Sequence, residues 1–326
     1  MTSVVLLGAA GNSGRLIAAE LAARGLPVRL AGRRREPLEQ LARALDAEDV
    51  VTVDAAEPDS LAEAVAGAGV VLSTVGPFTR RAAPVVDACL AARVPYVDIA
   101  NEWPAVRALL DRDAQARARG IALVTGAGFG PAATETLVLR LVDRLGGVPE
   151  SVRVAAAAGV DRTSDGVRET VQELLAQGVA IIYRRDQIVR EALGSGATVL
   201  TFGGAARRML PGPVGDLETA RLASGAADVV AYITDPGERG SGSDSYAWAE
   251  VRAAGGDIRT AELHTGEGVR ATAAIAVETT RRVLAGVEPG AWTAGRLFGA
   301  ALVTDAIDAR VTVTGPTAGP ECPVRQ

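Results

Sequence analysis

The stretch that most restricts this chain is Val4-Val5-Leu6-Leu7-Gly8-Ala9-Ala10-Gly11-Asn12-Ser13-Gly14, running on into Arg15-Leu16-Ile17-Ala18-Ala19-Glu20-Leu21. Four apolar residues predict a buried strand, and the run after Gly14 predicts a helix. Between them Gly8, Gly11 and Gly14 make a Gly-x-x-Gly-x-x-Gly turn at the helix mouth. Glycine lets the backbone turn sharply and approach a pyrophosphate, while free N–H groups and the helix dipole favour the negative charge. With 37 glycines the chain could make this spacing by chance, so the strand before and the helix after carry the reading. The stretch predicts a dinucleotide-binding turn made of Gly8, Ala10, Gly11, Asn12, Ser13 and Gly14; the alternative is a plain strand–helix turn.

The same alternation continues. Pro27–Gly32, Val50–Asp54, Val70–Val75, Tyr96–Ile99 and Ile121–Val124 read as strands. Helices are expected over Pro37–Leu45, Asp59–Ala66, Arg80–Ala92 and Trp103–Arg119. Strict β-α alternation with short links predicts an α/β Rossmann domain, a doubly wound parallel sheet with helices on both faces. The strand ends should gather around the cofactor crevice. Gly126-Ala127-Gly128-Phe129-Gly130-Pro131 breaks the pattern, which places a hinge there, with a cofactor domain over 1–128 and a second domain over 129–326.

In the second part, strands are expected at Ser151–Ala157, Ala197–Phe202, Asp228–Thr234, Ser245–Ala253 and Ile258–Thr265, with helices at Ala132–Leu145, Thr163–Ala176 and Val269–Leu284. Short links between strands imply an α+β domain on a mostly antiparallel sheet, whose open face suits pairing into a homodimer. Short helices after Pro289, about 290–306, are expected to return to the first domain, and the tail Gly315–Gln326, with three prolines, to be loose.

The second strand ends in Arg33-Arg34-Arg35, where an NAD site usually carries an acid for the ribose 2′-hydroxyl. Arginine instead suits a 2′-phosphate, so NADP is expected, held by Arg33 and Arg34. A solvated basic cluster is the bland alternative. Asp54, at the third strand end, could cap the next helix or touch the adenine amine. Val75-Gly76-Pro77-Phe78 forms a rigid turn where the nicotinamide ribose would lie. Tyr96, Asp98 and Glu102, at the fifth strand end, are candidates for proton transfer, with a buried structural carboxylate as the competing reading. Asp161, Asp165 and Tyr183 are weaker candidates for touching substrate.

Composition removes other chemistries. All 34 basic side chains are arginine, so no lysine can form a Schiff base or serve a P-loop. One histidine, His264, and two cysteines, Cys89 and Cys322, give no metal site of familiar spacing. Charge alternation around His264 favours a solvent-facing ring, and Cys89 reads as a small core residue. A net charge of −5 argues against a nucleic-acid or anionic-membrane surface. The N-terminus lacks a signal-peptide pattern and no apolar run reaches the ~18 residues of a membrane span, which points to a cytoplasmic protein.

The segments Gly8–Gly14, Ala31-Gly32-Arg33, Thr74–Phe78, Pro84–Cys89 and Tyr96–Ile99 resemble the saccharopine dehydrogenase-like NADP-binding oxidoreductases. Thr265–Gly268, Thr272–Glu278 and Pro289-Gly290 add to the likeness. The resemblance implies an NADP-binding Rossmann domain followed by an α+β domain, and an enzyme transferring hydride between NADPH and a small metabolite. It leaves C=N, conjugated C=C and C=O (keto acid) bonds open. The absence of a loud acid–base group favours C=N, then C=C. A non-catalytic NADP-binding sensor on the same fold is the other reading.

Overall fold

The computed structural model describes residues 3–47, 49–55, 57–159, 178–235 and 243–318. The chain opens with β1 (Val4–Leu7), α1 (Asn12–Ala23), β2 (Val28–Gly32), α2 (Arg35–Leu45), β3 (Asp49–Thr52), α3 (Pro58–Val65) and β4 (Val70–Ser73). Then come α4 (Phe78–Ala92), β5 (Tyr96–Asp98), α5 (Trp103–Leu110), α6 (Asp113–Arg119), β6 (Ala122–Thr125) and α7 (Phe129–Leu145). The second half adds β7 (Ser151–Ala157), β8 (Val179–Arg184), β9 (Gln187–Ala192), β10 (Thr198–Phe202), β11 (Ala205–Pro211), α8 (Asp216–Ser224) and β12 (Asp228–Thr234). It closes with β13 (Ser245–Arg252), β14 (Asp257–Thr265), α9 (Gly268–Leu284), β15 (Gly290–Thr293), α10 (Ala294–Phe298), α11 (Leu302–Ala306) and β16 (Arg310–Ala318).

The first sheet has seven strands in the order β15-β6-β5-β4-β1-β2-β3, all parallel. Continuous apolar runs suit such strands because both faces are covered. Leu6, Ile17, Leu21, Leu30 and Leu38 fill one face, and Val5, Leu7, Leu61, Val71, Val85 and Leu123 the other. Each such side chain contributes about 1.5–3 kcal/mol through burial. Strand order reverses between β1 and β4, the place where open α/β sheets hold ligands beyond their carboxyl ends. Cys89 lies fully buried in the second of these cores, and burial pushes its thiol up.

Several expectations need correcting. The helix expected over Trp103–Arg119 is two helices, because Asp113 begins a new one and its carboxylate accepts the Ala291 amide of β15 at 2.9 Å. The segment after Pro289 returns to the first sheet as expected, but first as the edge strand β15, paired with β6. Helix α9 also comes back: Ala273, Ala276, Val277 and Val283 join the core beside α1. The tail begins later than expected, since Arg310–Ala318 pairs antiparallel with β14, with Val311 and Val313 packed against the second core.

The second sheet has nine strands, β10-β11-β12-β7-β13-β14-β16 with β8 pairing β12 and β9 pairing β8. All its pairs are antiparallel except β12 with β7. The hairpin β8–β9 and strand β11 were not expected from the sequence. Helices α7 and α8 cover one face, with Leu137, Leu141 and Leu217 against Val152, Val154, Ala247 and Leu263. The expected helix over 163–176, with Asp161 and Asp165, lies outside the described residues. His264 is half exposed, stacked on Tyr246 with ring centroids 4.8 Å apart and 3.0 Å from Asp244. Among the described residues no helix is long and apolar enough to cross a membrane.

Candidate functional site

The glycine turn is held by its own backbone: Gly8 and Ala9 amides donate to Ala31, Gly11 to Gly8 and Arg15 to Gly11. The first-turn amides at Asn12, Ser13 and Gly14 are left at the mouth of α1, where a helix has no acceptors of its own. Gly8 has φ +82°, and a Cβ there would stand 2.5 Å from Thr74 Oγ1. At Gly14 a Cβ would lie 2.2 Å from the Gly8 oxygen and 2.8 Å from Ala9 Cα, contacts with backbone that cannot swing away. Only glycine closes this turn, and the cradle of exposed amides fits a pyrophosphate.

At the end of β2, Arg33, Arg34 and Arg35 are all exposed. Arg35 is engaged with Glu39 at 2.7 Å, while Arg33 and Arg34 make no ion pair among the described residues. Two unengaged guanidinium groups at this strand end fit a 2′-phosphate. Asp54 is exposed one strand further on; Glu57 occupies the N-cap position of the helix that follows, without a side-chain cap hydrogen bond, and the Asp54 amide donates to Ser60 Oγ at 3.3 Å.

The ends of β4, β5 and β6 are bound together by buried carboxylates. Thr74 reaches from β4 to the Leu7 and Gly8 oxygens at 3.0 and 3.2 Å. Gly76-Pro77 is a cis peptide, and Phe78 opens α4 with its amide on Glu102 Oε1 at 3.0 Å. Glu102 Oε2 takes the Asn101 amide at 3.1 Å. Asp98, 1% exposed, accepts on one oxygen from Thr125 Oγ1 at 2.7 Å, the Ala100 amide at 3.0 Å and the Gly126 amide at 3.2 Å. Burial outweighs those donors and pushes its carboxyl up to about 6. Tyr96 is fully buried, and its hydroxyl faces Asp98 and Ser73 without closing a hydrogen bond of normal geometry. Desolvation first, then the Asp98 charge, pushes that phenol well up.

The second half of the chain closes over these strand ends. Val214 bridges Glu102, Trp103 donates its amide to Pro213 at 3.0 Å, and Gly215 donates to Asn101 at 2.8 Å. Phe129 donates its amide to Thr272 Oγ1 at 3.1 Å. Asp216, the first residue of α8, is 3% exposed and takes the Thr134 hydroxyl at 2.9 Å. Farther out, Glu218 gathers Trp103 Nε1 at 3.1 Å, Tyr183 Oη at 2.6 Å and Arg221 at 2.7 Å. Tyr183 also takes Arg107 at 2.8 Å, so its hydroxyl is committed to that cluster. Two surface hollows, of about 450 Å³ beside α2 and about 310 Å³ between α5, α8 and β15, lie away from the strand ends.

The family model of the saccharopine dehydrogenase NADP-binding domain matches residues 4–124. Those residues belong to that domain family. The chain is also 38% identical over 150 residues, 44% of its length, to a trans-acting enoyl reductase of Mycobacterium leprae. A trans-acting enoyl reductase of Mycobacterium tuberculosis is 37% identical over 148 residues, 43% of this chain. The matched parts are about a third of those relatives, 36% and 35% of their lengths. The apo saccharopine dehydrogenase (L-Glu forming) of Saccharomyces cerevisiae shares the fold, with TM-score 0.67 at 15% identity, covering 97% of this chain and 100% of that one.

Within the NADP-binding domain, the structure brings the expected glycine turn, Arg33, Arg34 and the Val75–Phe78 turn to one edge of the first sheet. Tyr96, Asp98 and Glu102 also lie there, all buried, with Asp98 and Glu102 accepting backbone amides and the Tyr96 hydroxyl closing no normal hydrogen bond. Sequence reading singled out neither Thr134 nor Asp216. Asp216 carries no local motif and comes to this edge from α8.

Proposed function

We propose that the chain is a cytoplasmic NADPH-dependent reductase that acts on a conjugated C=C bond of a small metabolite. The observation that carries this reading is the NADP-binding domain whose β4–β6 ends are roofed by the second half of the chain. A dinucleotide laid across Gly8–Gly14 would point its nicotinamide toward Gly76-Pro77 and Asn101. When bound, the cofactor supplies a hydride. The sequence favoured C=N; the enoyl reductases matched by this domain support C=C instead.

In this reading Glu102 fixes the start of α4 through Phe78, and Asp98 locks the β5 and β6 ends through Ala100, Thr125 and Gly126. Tyr96 fills the space beneath. These three position the site and need not meet substrate. NADPH consumption with a panel of an α,β-unsaturated ester, a cyclic imine and a keto acid tests the reading. Turnover of the unsaturated ester is expected. Imine turnover alone would move the reaction to C=N, and tight NADPH binding with no turnover would leave a sensor.

The second sheet is where we place pairing with another copy. Ile188 on β9 and Val199 on β10 are large apolar side chains left 41% and 62% exposed, which supports an interface there. Sedimentation velocity should show a dimer that Val199→Glu weakens; a monomer at high concentration would refute it.

A further inference from the structure

We propose that Asp216 is the acid that protonates the substrate during the reduction, a role that rests on the reductase reading above. The amide of Gly215 is bonded to the Asn101 oxygen, which pins the start of α8 against the end of β5. A Cβ at Gly130 would stand 3.4 Å from Asp216 Oδ2, 3.6 Å from Asp216 Oδ1 and 3.6 Å from Asn101 Nδ2. Gly130 thus lies in contact range of both the Asp216 carboxyl and the amide of exposed Asn101, which gathers these groups beside the ends of β5 and β6. That is the side of the switch point toward which a nicotinamide would extend.

The other buried carboxylates nearby are committed elsewhere. Glu102 takes two backbone amides, one on each oxygen. Glu218 holds Trp103, Tyr183 and Arg221. Asp98 receives three donors between β5 and β6. Asp216 receives one side-chain donor, Thr134, on Oδ1. No ion pair holds it among the described residues; the ionisable groups on the elements packed against α8 are Glu135, Arg140, Asp143 and Arg144 on α7, Arg107 on α5, Arg296 on α10, Arg153 on β7, and Asp228 and Tyr232 on β12, with Glu218 and Arg221 on α8 itself. Burial pushes its carboxyl up to about 6 against the Thr134 hydrogen bond, so a protonated fraction persists near neutrality.

Hydride from NADPH adds to the carbon β to the substrate carbonyl, and the alkene π pair moves onto the α-carbon and carbonyl. The Asp216 O–H gives its proton to the α-carbon, and the carboxylate left behind takes a proton from water. NADPH is oxidised to NADP⁺ and the alkene is reduced.

The experiment joins steady-state kinetics with titration of the cofactor-free chain. Carbon-detected NMR of the free protein should show a carboxyl titrating near 6 that Asp216→Asn removes. With an unsaturated ester, Asp216→Asn should lower kcat by about 10²–10⁴ with little change in KM or NADPH affinity. The wild-type kcat should fall as pH rises above that titration. Thr134→Val, which removes the hydrogen bond favouring the ionised form, should move the fall to higher pH; this variant keeps the test intact should Asp216→Asn fold poorly. If the wild type reduces the ester but Asp216→Asn stays within about 2-fold of it with the same pH profile, Asp216 is not the acid. Nor is it the acid if Asp98→Asn, and not Asp216→Asn, removes the pH limb. If the wild type binds NADPH and reduces no alkene, the reductase reading itself has failed.

Discussion

Replacing Arg33 and Arg34 together with serine should weaken NADPH binding by about 100-fold while leaving NADH binding within about 2-fold. The two cofactors differ at this end only by the 2′-phosphate, so an effect confined to NADPH isolates that contact. Both guanidinium groups stand at the carboxyl end of β2 without an acidic partner among the described residues, so no ion pair seen there has to break before they bind phosphate. Arg35→Ser is the control. Its guanidinium is already engaged by Glu39, and its loss should change NADPH affinity by less than about 3-fold. Titration of both cofactors with each variant, at low and at high salt, decides the matter. The double variant should lose most of the salt dependence of NADPH binding, because exposed charge–charge contacts are screened. Equal weakening of NADPH and NADH would show that the arginines shape the β2–α2 turn rather than read the phosphate.

The glycine turn and the Arg33-Arg34 pair, which we propose hold the cofactor, were legible because their physics is local. Gly8, Gly11 and Gly14 sit within seven residues, and their strand and helix flank them directly. Arg33-Arg34 follows the next strand without interruption. The substrate side is assembled from distant segments. Asp216 is placed by Gly215 on Asn101 and by Thr134 on α7, and no window of the sequence contains those partners together. Tyr96, Asp98 and Glu102 illustrate the converse. A polar strand end next to the crevice reads as chemistry, yet all three side chains are buried, and backbone amides bind the Asp98 and Glu102 carboxylates to the frame. Strand β15 escaped notice for a similar reason. Gly290-Ala291-Trp292-Thr293 has little propensity of its own and becomes a strand by pairing with β6, far back in the chain. The tail from Gly315 read as loose, but Thr317 and Ala318 pair with Ile258 and Asp257 as the end of the strand whose Val311 and Val313 pack against the second core.

Glu135→Ala should be the most damaging substitution outside the glycine turn, lowering stability by about 3–5 kcal/mol and Tm by roughly 5 °C. Glu135 lies in α7, fully buried, and joins the two halves of the chain. It accepts the Thr293 hydroxyl at the end of β15, the Gly295 amide at 2.7 Å and the Arg296 amide at 3.1 Å. A Cβ at Gly295 would come within 2.6 Å of the Glu135 carboxyl carbon, so the backbone has been drawn against this side chain. Alanine would orphan all three donors in a dry interior, which is the costly direction of the exchange. Glutamine keeps the shape but turns an N–H₂ toward at least one donor and should cost about 2 kcal/mol. The carboxyl also sets a pH dependence. Burial raises it from 4.5 to about 7 against the pull of its three donors. Between those values the folded state binds more protons than the unfolded one, so stability falls as pH rises. The contribution is complete below pH 4.5 and is lost as pH climbs through about 7, a loss on the order of 3 kcal/mol. Asp98 and Asp216, both raised to about 6, slope the same way in wild type and variant alike. The difference between wild-type and Glu135→Gln melting curves from pH 5 to pH 8 therefore belongs to Glu135, and the variant should show the shallower decline. Parallel curves over that range would mean that the carboxyl stays ionised throughout, its three donors outweighing its burial.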